Sequence, residues 1–308
     1  MTVGKQQSRE TTKRRITGAR EKGRPLRNCT LTPIPRPTLV FGHREEMTSE
    51  LLDLDSRQTW HPDIEALVYG QEVWLKIEAK LDAGDMQCIE FLSQVRCAED
   101  YLEDELAKFL RHEGREILFN KYTHVAGYHG CRQKDPASYQ NKGILPSNTE
   151  ALISEARSLF ADIGGFEEAL RNIGPNYLNH NEGKVGLLLS AIRAKHDRNA
   201  YVKGSELIRG FANRLGPEAE SRYARTGRPT LIKCAIPVDW LDKHTTFPVS
   251  GGYIDHVLEE LIRHRKWPDE KFVGFDGGYM LTRAVPPGNI LEFIDMSDFS
   301  DDELRGQQ

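Results

Sequence analysis

His129 and Gly130 close the stretch Val125-Ala126-Gly127-Tyr128 and form the pair in this chain best suited to holding a ligand. Near neutral pH an imidazole donates from one nitrogen and accepts at the other, so it can grip a hydroxyl. A glycine lets a ligand come close to the backbone. At a strand end, His129 can turn a ring nitrogen into a cleft. Tyr139 then precedes Lys142-Gly143-Ile144, where Gly143 can close a short helix and Pro146 prevents its continuation. His124, His129 and Cys131 are metal-binding types close together, but a fourth partner at the usual spacing is missing. The five cysteines, Cys29, Cys88, Cys97, Cys131 and Cys234, are odd in number, irregular in spacing and without a C-x-x-C pair. This argues against a disulfide framework and a zinc ribbon.

The elements that must position these residues begin after Pro33, Pro35 and Pro37, which make an extended connector. Ile64, Leu67, Val68, Val73, Ile77 and Leu81 predict a helix from Pro62, ended by Gly84. Cys88 to Leu110 repeats the pattern, with an acidic outer face at Glu99, Asp100, Glu103, Asp104 and Glu105 that reads as solvated surface. Ile117 to Phe119 is expected as a strand, and Val125 to Tyr128 as a second that stops at the His-Gly pair. Helices are expected after Asn148 and around Phe166 to Ile173, and a buried strand at Lys184 to Ile192. Ser205 is a candidate N-cap for a helix that stops at Gly216. Thr230 to Pro237 is expected as a strand. Ser250-Gly251-Gly252 reads as a turn before a helix from Ile254 to Ile262. Strands at Phe272 to Phe275 and Tyr279 to Thr282 flank Asp276-Gly277-Gly278, and Ile290 to Ile294 is the last.

Charge divides the chain unevenly. Residues 1–36 hold ten basic residues against Glu10 and Glu21, a net +8, so the remaining residues carry −12 within a total of −4. With few apolar residues to bury, this segment is expected to be a disordered basic tail. It is either a solubilising leader or an arm for nucleic acid or an acidic partner. No apolar run approaches a membrane span and no signal-peptide core is present, so a cytoplasmic protein is expected. The expected organisation is a tail (1–36), a helical N-terminal module (37–114) and an α+β domain (115–308) with a split, mostly antiparallel sheet.

Gly127-Tyr128-His129-Gly130-Cys131, followed by Tyr139 and Lys142-Gly143-Ile144, resembles the first motif of the ADP-ribosyltransferases. The similarity is to their His-Tyr-Glu branch, which includes diphtheria-toxin-like enzymes and poly(ADP-ribose) polymerases. A Val285-Pro286-Pro287 phrase introducing the last strand adds to the likeness, which spans roughly residues 115–295. It implies that NAD is the substrate and that this is a glycosyltransferase-class enzyme. His129 would bind a ribose hydroxyl and the Gly130 backbone the nicotinamide amide. Tyr201 would stack on the nicotinamide ring, with Tyr139 and Tyr177 as further candidates. The late strand has Asp276 where the family places a glutamate, so the carboxylate is either Asp276 or Glu206, the latter close to Tyr201. Cleaving the nicotinamide–ribose bond develops oxocarbenium charge that a carboxylate stabilises. The bland alternatives are a hydrogen-bonded core histidine, a core tyrosine at Tyr201, a helix-dipole charge at Glu206 and a hairpin-turn residue at Asp276. The acceptor implied is a macromolecule, DNA or RNA through the tail, or protein. Such an enzyme would be a toxin or defence effector held by an inhibitory partner. Water as acceptor would make it an NAD glycohydrolase. A nucleic-acid-binding protein with a degenerate transferase fold is the reading that needs no NAD.

Overall fold

The computed structural model describes residues 50–82, 105–173, 181–196, 204–269 and 277–297. All of them belong to one compact unit, Met47–Gln308. In chain order the elements are β1 (Leu51–Leu52), a 3-10 turn (Arg57–Thr59), α1 (Pro62–Tyr69), α2 (Gln71–Asp82), α3 (Glu105–Lys121) and β2 (His124–Gln133). Then come α4 (Pro136–Lys142), α5 (Thr149–Phe160), α6 (Phe166–Asn172), β3 (Val185–Leu188), α7 (Ala191–His196) and α8 (Glu206–Leu215). The rest are α9 (Pro217–Ala224), β4 (Arg228–Pro237), α10 (Trp240–Lys243), α11 (Ser250–Lys266), β5 (Gly278–Leu281), a 3-10 turn (Pro287–Asn289) and β6 (Ile290–Asp295). Among the described residues no helix is long and apolar enough to cross a membrane.

The fold is α+β. One sheet runs in the order β5-β3-β2-β4-β6, antiparallel throughout, and β1 adds to β2 in parallel. Its axis is the β2–β4 ladder, paired from His124↔Pro237 to Gln133↔Arg228. Strand side chains alternate between faces, and the two faces here have different partners. Val125 and Cys131, with Ile232, Cys234, Ile236 and Leu187, join the large core that holds Tyr253, Ile254 and Leu258 of α11. Ala126, Tyr128, Leu188 and Leu231 pack instead with Ala191 and Ala194 of α7 and with Met296. A third core is purely helical: Phe160, Phe166, Ile208, Phe211 and Tyr223 gather α5, α6, α8 and α9. Burying one such phenylalanine is worth about 1.5–3 kcal/mol, and Phe166 and Phe211 also stack at 5.5 Å.

Local signals set the ends of the helices. Asn148 and Ser205 accept hydrogen bonds from Ala151 N and Ile208 N, each capping its helix. Pro62 opens α1 at a position where its missing N–H costs nothing. The helix expected from Pro62 is two helices, divided at Gly70. The expected stop at Gly84 and, of the second expected helix, 88–104 lie outside the described residues, and Leu106 to Leu110 belongs to α3.

Four expectations change. The strand expected at Lys184 to Ile192 is β3 only over Val185–Leu188, and Ala191 and Ile192 open α7. Ile117 to Phe119 is not a strand but the end of α3, whose buried Ala107, Leu110, Arg111, Gly114 and Leu118 follow a helical spacing. A short apolar run fits either structure, and only its longer context decides. Ser250-Gly251-Gly252 is not a turn but the first turn of α11. Ser250 donates from both its N–H and its hydroxyl to Asp242, which supplies the acceptor that helix start needs. β2 does not stop at His129-Gly130 but runs on to Gln133, because β4 pairs it along its whole length.

Candidate functional site

β2 and β4 stay together for ten residue pairs, whereas β2 and β3 are registered only at Tyr128↔Leu188. Past Tyr128, β2 has no ladder partner on its β3 side among the described residues. The opening is a cleft of about 500 Å³ between this edge and the helical core of α5, α8 and α9. That volume lies in the range of sites for ligands of nucleotide size, roughly 300–1,000 Å³.

His129, Gly130, Tyr139 and Glu206 all line this cleft. His129 is half-buried, and its Nδ1 lies 2.9 Å from the carbonyl oxygen of Gly186 on β3. A carbonyl only accepts, so Nδ1 carries the proton and Nε2 of the neutral ring is left as an acceptor. Burial holds the imidazole below its ordinary pKa, against the opposing pull of the Gly186 bond. Gly130 sits on the same strand opposite Leu231.

Tyr139 comes from α4, which Gly143 closes by donating its N–H to Tyr139 O at 2.8 Å. Its ring meets Phe293 of β6 edge-on at 6.3 Å, and its hydroxyl faces the Cys131 thiol. Burial pushes that thiol up to about 11, so Cys131 is no thiolate nucleophile at neutral pH. Glu206 stands exposed in the first turn of α8, and its Oε2 accepts from Asn181 Nδ2 at 3.5 Å. Tyr201, Tyr177 and Asp276 lie outside the described residues.

Arg132, Tyr223 and Gly204 complete the wall and were not singled out from the sequence. The Arg132 guanidinium donates to the carbonyls of Ala224 and Gly227 and lies 5.8 Å over the Tyr223 ring. Gly204 has φ +98, and a Cβ there would stand 2.3 Å from Tyr223 Oη and 2.6 Å from Arg132 Cγ. The only local signal was the glycine immediately before the Ser205 cap. The residues it must accommodate come from β2 and α9.

Among the described residues no group of three His, Cys, Asp or Glu side chains could hold a metal ion. His124 and His129 are an odd number of positions apart on β2, which puts them on opposite faces.

What the cleft assembles is a neutral imidazole, a glycine on an open strand edge, an aromatic ring and a carboxylate. Such a set can hold a sugar hydroxyl and an amide, and can stabilise positive charge on a sugar. No family model, curated protein or solved structure matches this chain.

Proposed function

We propose that this chain is an ADP-ribosyltransferase. It binds NAD at the β2–β3 opening, breaks the bond between nicotinamide and ribose, and passes ADP-ribose to a macromolecular acceptor. One observation carries the reading. His129 and Gly130 of β2 and the nearby Tyr139 of α4 line a single cleft with Glu206 of α8, which is far from them in sequence.

In this reading His129 accepts a ribose hydroxyl at Nε2 and the Gly130 backbone holds the nicotinamide amide. Tyr139 offers an apolar ring face to the nicotinamide. As the glycosidic bond breaks, its electron pair leaves with the nicotinamide, whose ring charge is neutralised. The carboxylate of Glu206 then faces the oxocarbenium-like ribose. A nucleophile on the acceptor bonds the anomeric carbon and gives up its proton to the solvent. The basic residues of 1–36 favour a nucleic acid as acceptor. A cytoplasmic toxin or defence effector of this kind requires an inhibitory partner.

The test uses NAD labelled in the adenylate, with nucleic acid and cell extract as acceptors. Label retained on a macromolecule is expected from the wild type. Loss of about 100-fold or more is expected for His129→Ala and Glu206→Gln, the scale of removing one transition-state contact. Label recovered only as free ADP-ribose makes the protein an NAD glycohydrolase. No nicotinamide release under any condition rejects both enzymes and leaves a non-catalytic nucleic-acid-binding protein.

A further inference from the structure

We infer that the segment 51–60 is a strap that fixes how far apart β2 and β3 stand where they separate, with Asp53 and Asp55 as its positioning residues. The strap begins as β1, paired in parallel with the first residues of β2 through Leu51↔His124 and Leu52↔Val125. It then carries two carboxylates two positions apart, one bound to β2 and β4 and the other to the turn that follows β3.

Asp53 holds β2 and β4. It is 4% exposed, and its carboxylate accepts from the Tyr128 hydroxyl at 3.0 and 3.1 Å and from the Lys233 ammonium at 2.6 Å. Tyr128 and Lys233 face each other across the β2–β4 ladder. Tyr128 also forms the sole registered β2–β3 pair and directly precedes His129. Adjacent strand residues take opposite faces, so Asp53 acts from behind the cleft.

Asp55 holds the turn that leads from β3 into α7. Its carboxylate accepts from the Ser190 hydroxyl, from Ala191 N at 2.6 Å and from Ile192 N at 3.3 Å, just past the last residue of β3. The strap is itself braced. Asp53 O accepts from the Trp60 indole and the Thr59 hydroxyl, each at 3.0 Å, and Asp55 N donates to Asp53 Oδ1 at 3.0 Å. One rigid segment therefore ties together two strands that share almost no ladder of their own.

The two carboxylates differ in what they need. Asp53 faces a cation, so its charge matters. Asp55 faces one hydroxyl and two backbone N–H groups, all neutral, so an amide can serve almost as well. The inference concerns the geometry of the cleft and stands apart from the identity of its ligand.

Hydrogen exchange followed by mass spectrometry on the full chain tests it. Each lost hydrogen bond is worth about 1 kcal/mol net, or roughly fivefold in a local opening equilibrium. Asp55→Ala is therefore expected to speed exchange across 185–192 by about tenfold or more, with α11 unchanged. Asp55→Asn is expected to stay close to wild type. Asp53→Asn is expected to loosen 128–133. The inference is overturned if Asp55→Ala leaves 185–192 as protected as in wild type, or speeds α11 equally. It is also overturned if Asp55→Asn is as damaging as alanine. Should Asp55→Ala not fold, Ser190→Ala reads the same peptides by removing one bond, and no acceleration at 185–192 counts against the strap. If the wild type cleaves no NAD, the exchange result still decides the question.

Discussion

His129 is held in its neutral form by where it sits. Burial lowers its pKa from the ordinary 6.5, so the folded state binds fewer protons than the unfolded chain just below that pH. The stability this contributes is present above pH 6.5 and is lost as pH falls toward the lower folded value. Denaturant titrations across that window are expected to show stability falling with acid. His129→Gln keeps an acceptor and a donor but cannot titrate, and it should flatten the slope. An unchanged slope would mean that the imidazole is not the titrating group. In the proposed NAD site this ring accepts a ribose hydroxyl at Nε2 only while neutral, so NAD binding is expected to weaken over the same pH range. Nothing in the residue types alone revealed the tautomer. It follows from the Gly186 carbonyl, which β3 brings to 2.9 Å.

Gly143 shows why the end of α4 behind Tyr139 needs one residue type. Its φ of 74 and ψ of −160 lie in a region that only glycine occupies comfortably. A Cβ there would stand 2.0 Å from the Val285 carbonyl oxygen, on the strand entry that Ile144 bridges. Gly143→Ala should therefore cost at least about 2 kcal/mol, read as a lower denaturation midpoint at constant slope. A loss under about 0.5 kcal/mol, the size of an ordinary surface change, would contradict this. The helix stop at Gly143 was legible because cap chemistry is local, and so were the Asn148 and Ser205 caps. Ile117 to Phe119 was misread because three apolar residues carry no period. Ser250-Gly251-Gly252 was misread because the acceptor that starts α11, Asp242, comes from a separate element.

At the scale of the molecule, the α+β class was legible from short apolar runs among amphipathic helices, while the order of strands in the sheet and the depth of the cleft were not. Arg132, Tyr223, Asp53 and Asp55 matter through contacts made across the chain, and no local pattern marks such contacts. Charge was fully legible. Removing residues 1–36 takes away a net +8, and it should weaken nucleic-acid binding uniformly across sequences and flatten its salt dependence. Gel-shift titrations at several salt concentrations check this. Binding unaltered by the truncation would assign the tail no role in it, while nicotinamide release from NAD should survive the truncation. NAD cleavage at the β2–β3 opening is tested most directly by measuring nicotinamide released from NAD by wild type, His129→Ala and Glu206→Gln, each verified as folded. Release by the wild type with about 100-fold loss in both variants is the predicted result. Release that neither substitution reduces would place the chemistry elsewhere, and no release by the wild type would contradict the enzyme altogether.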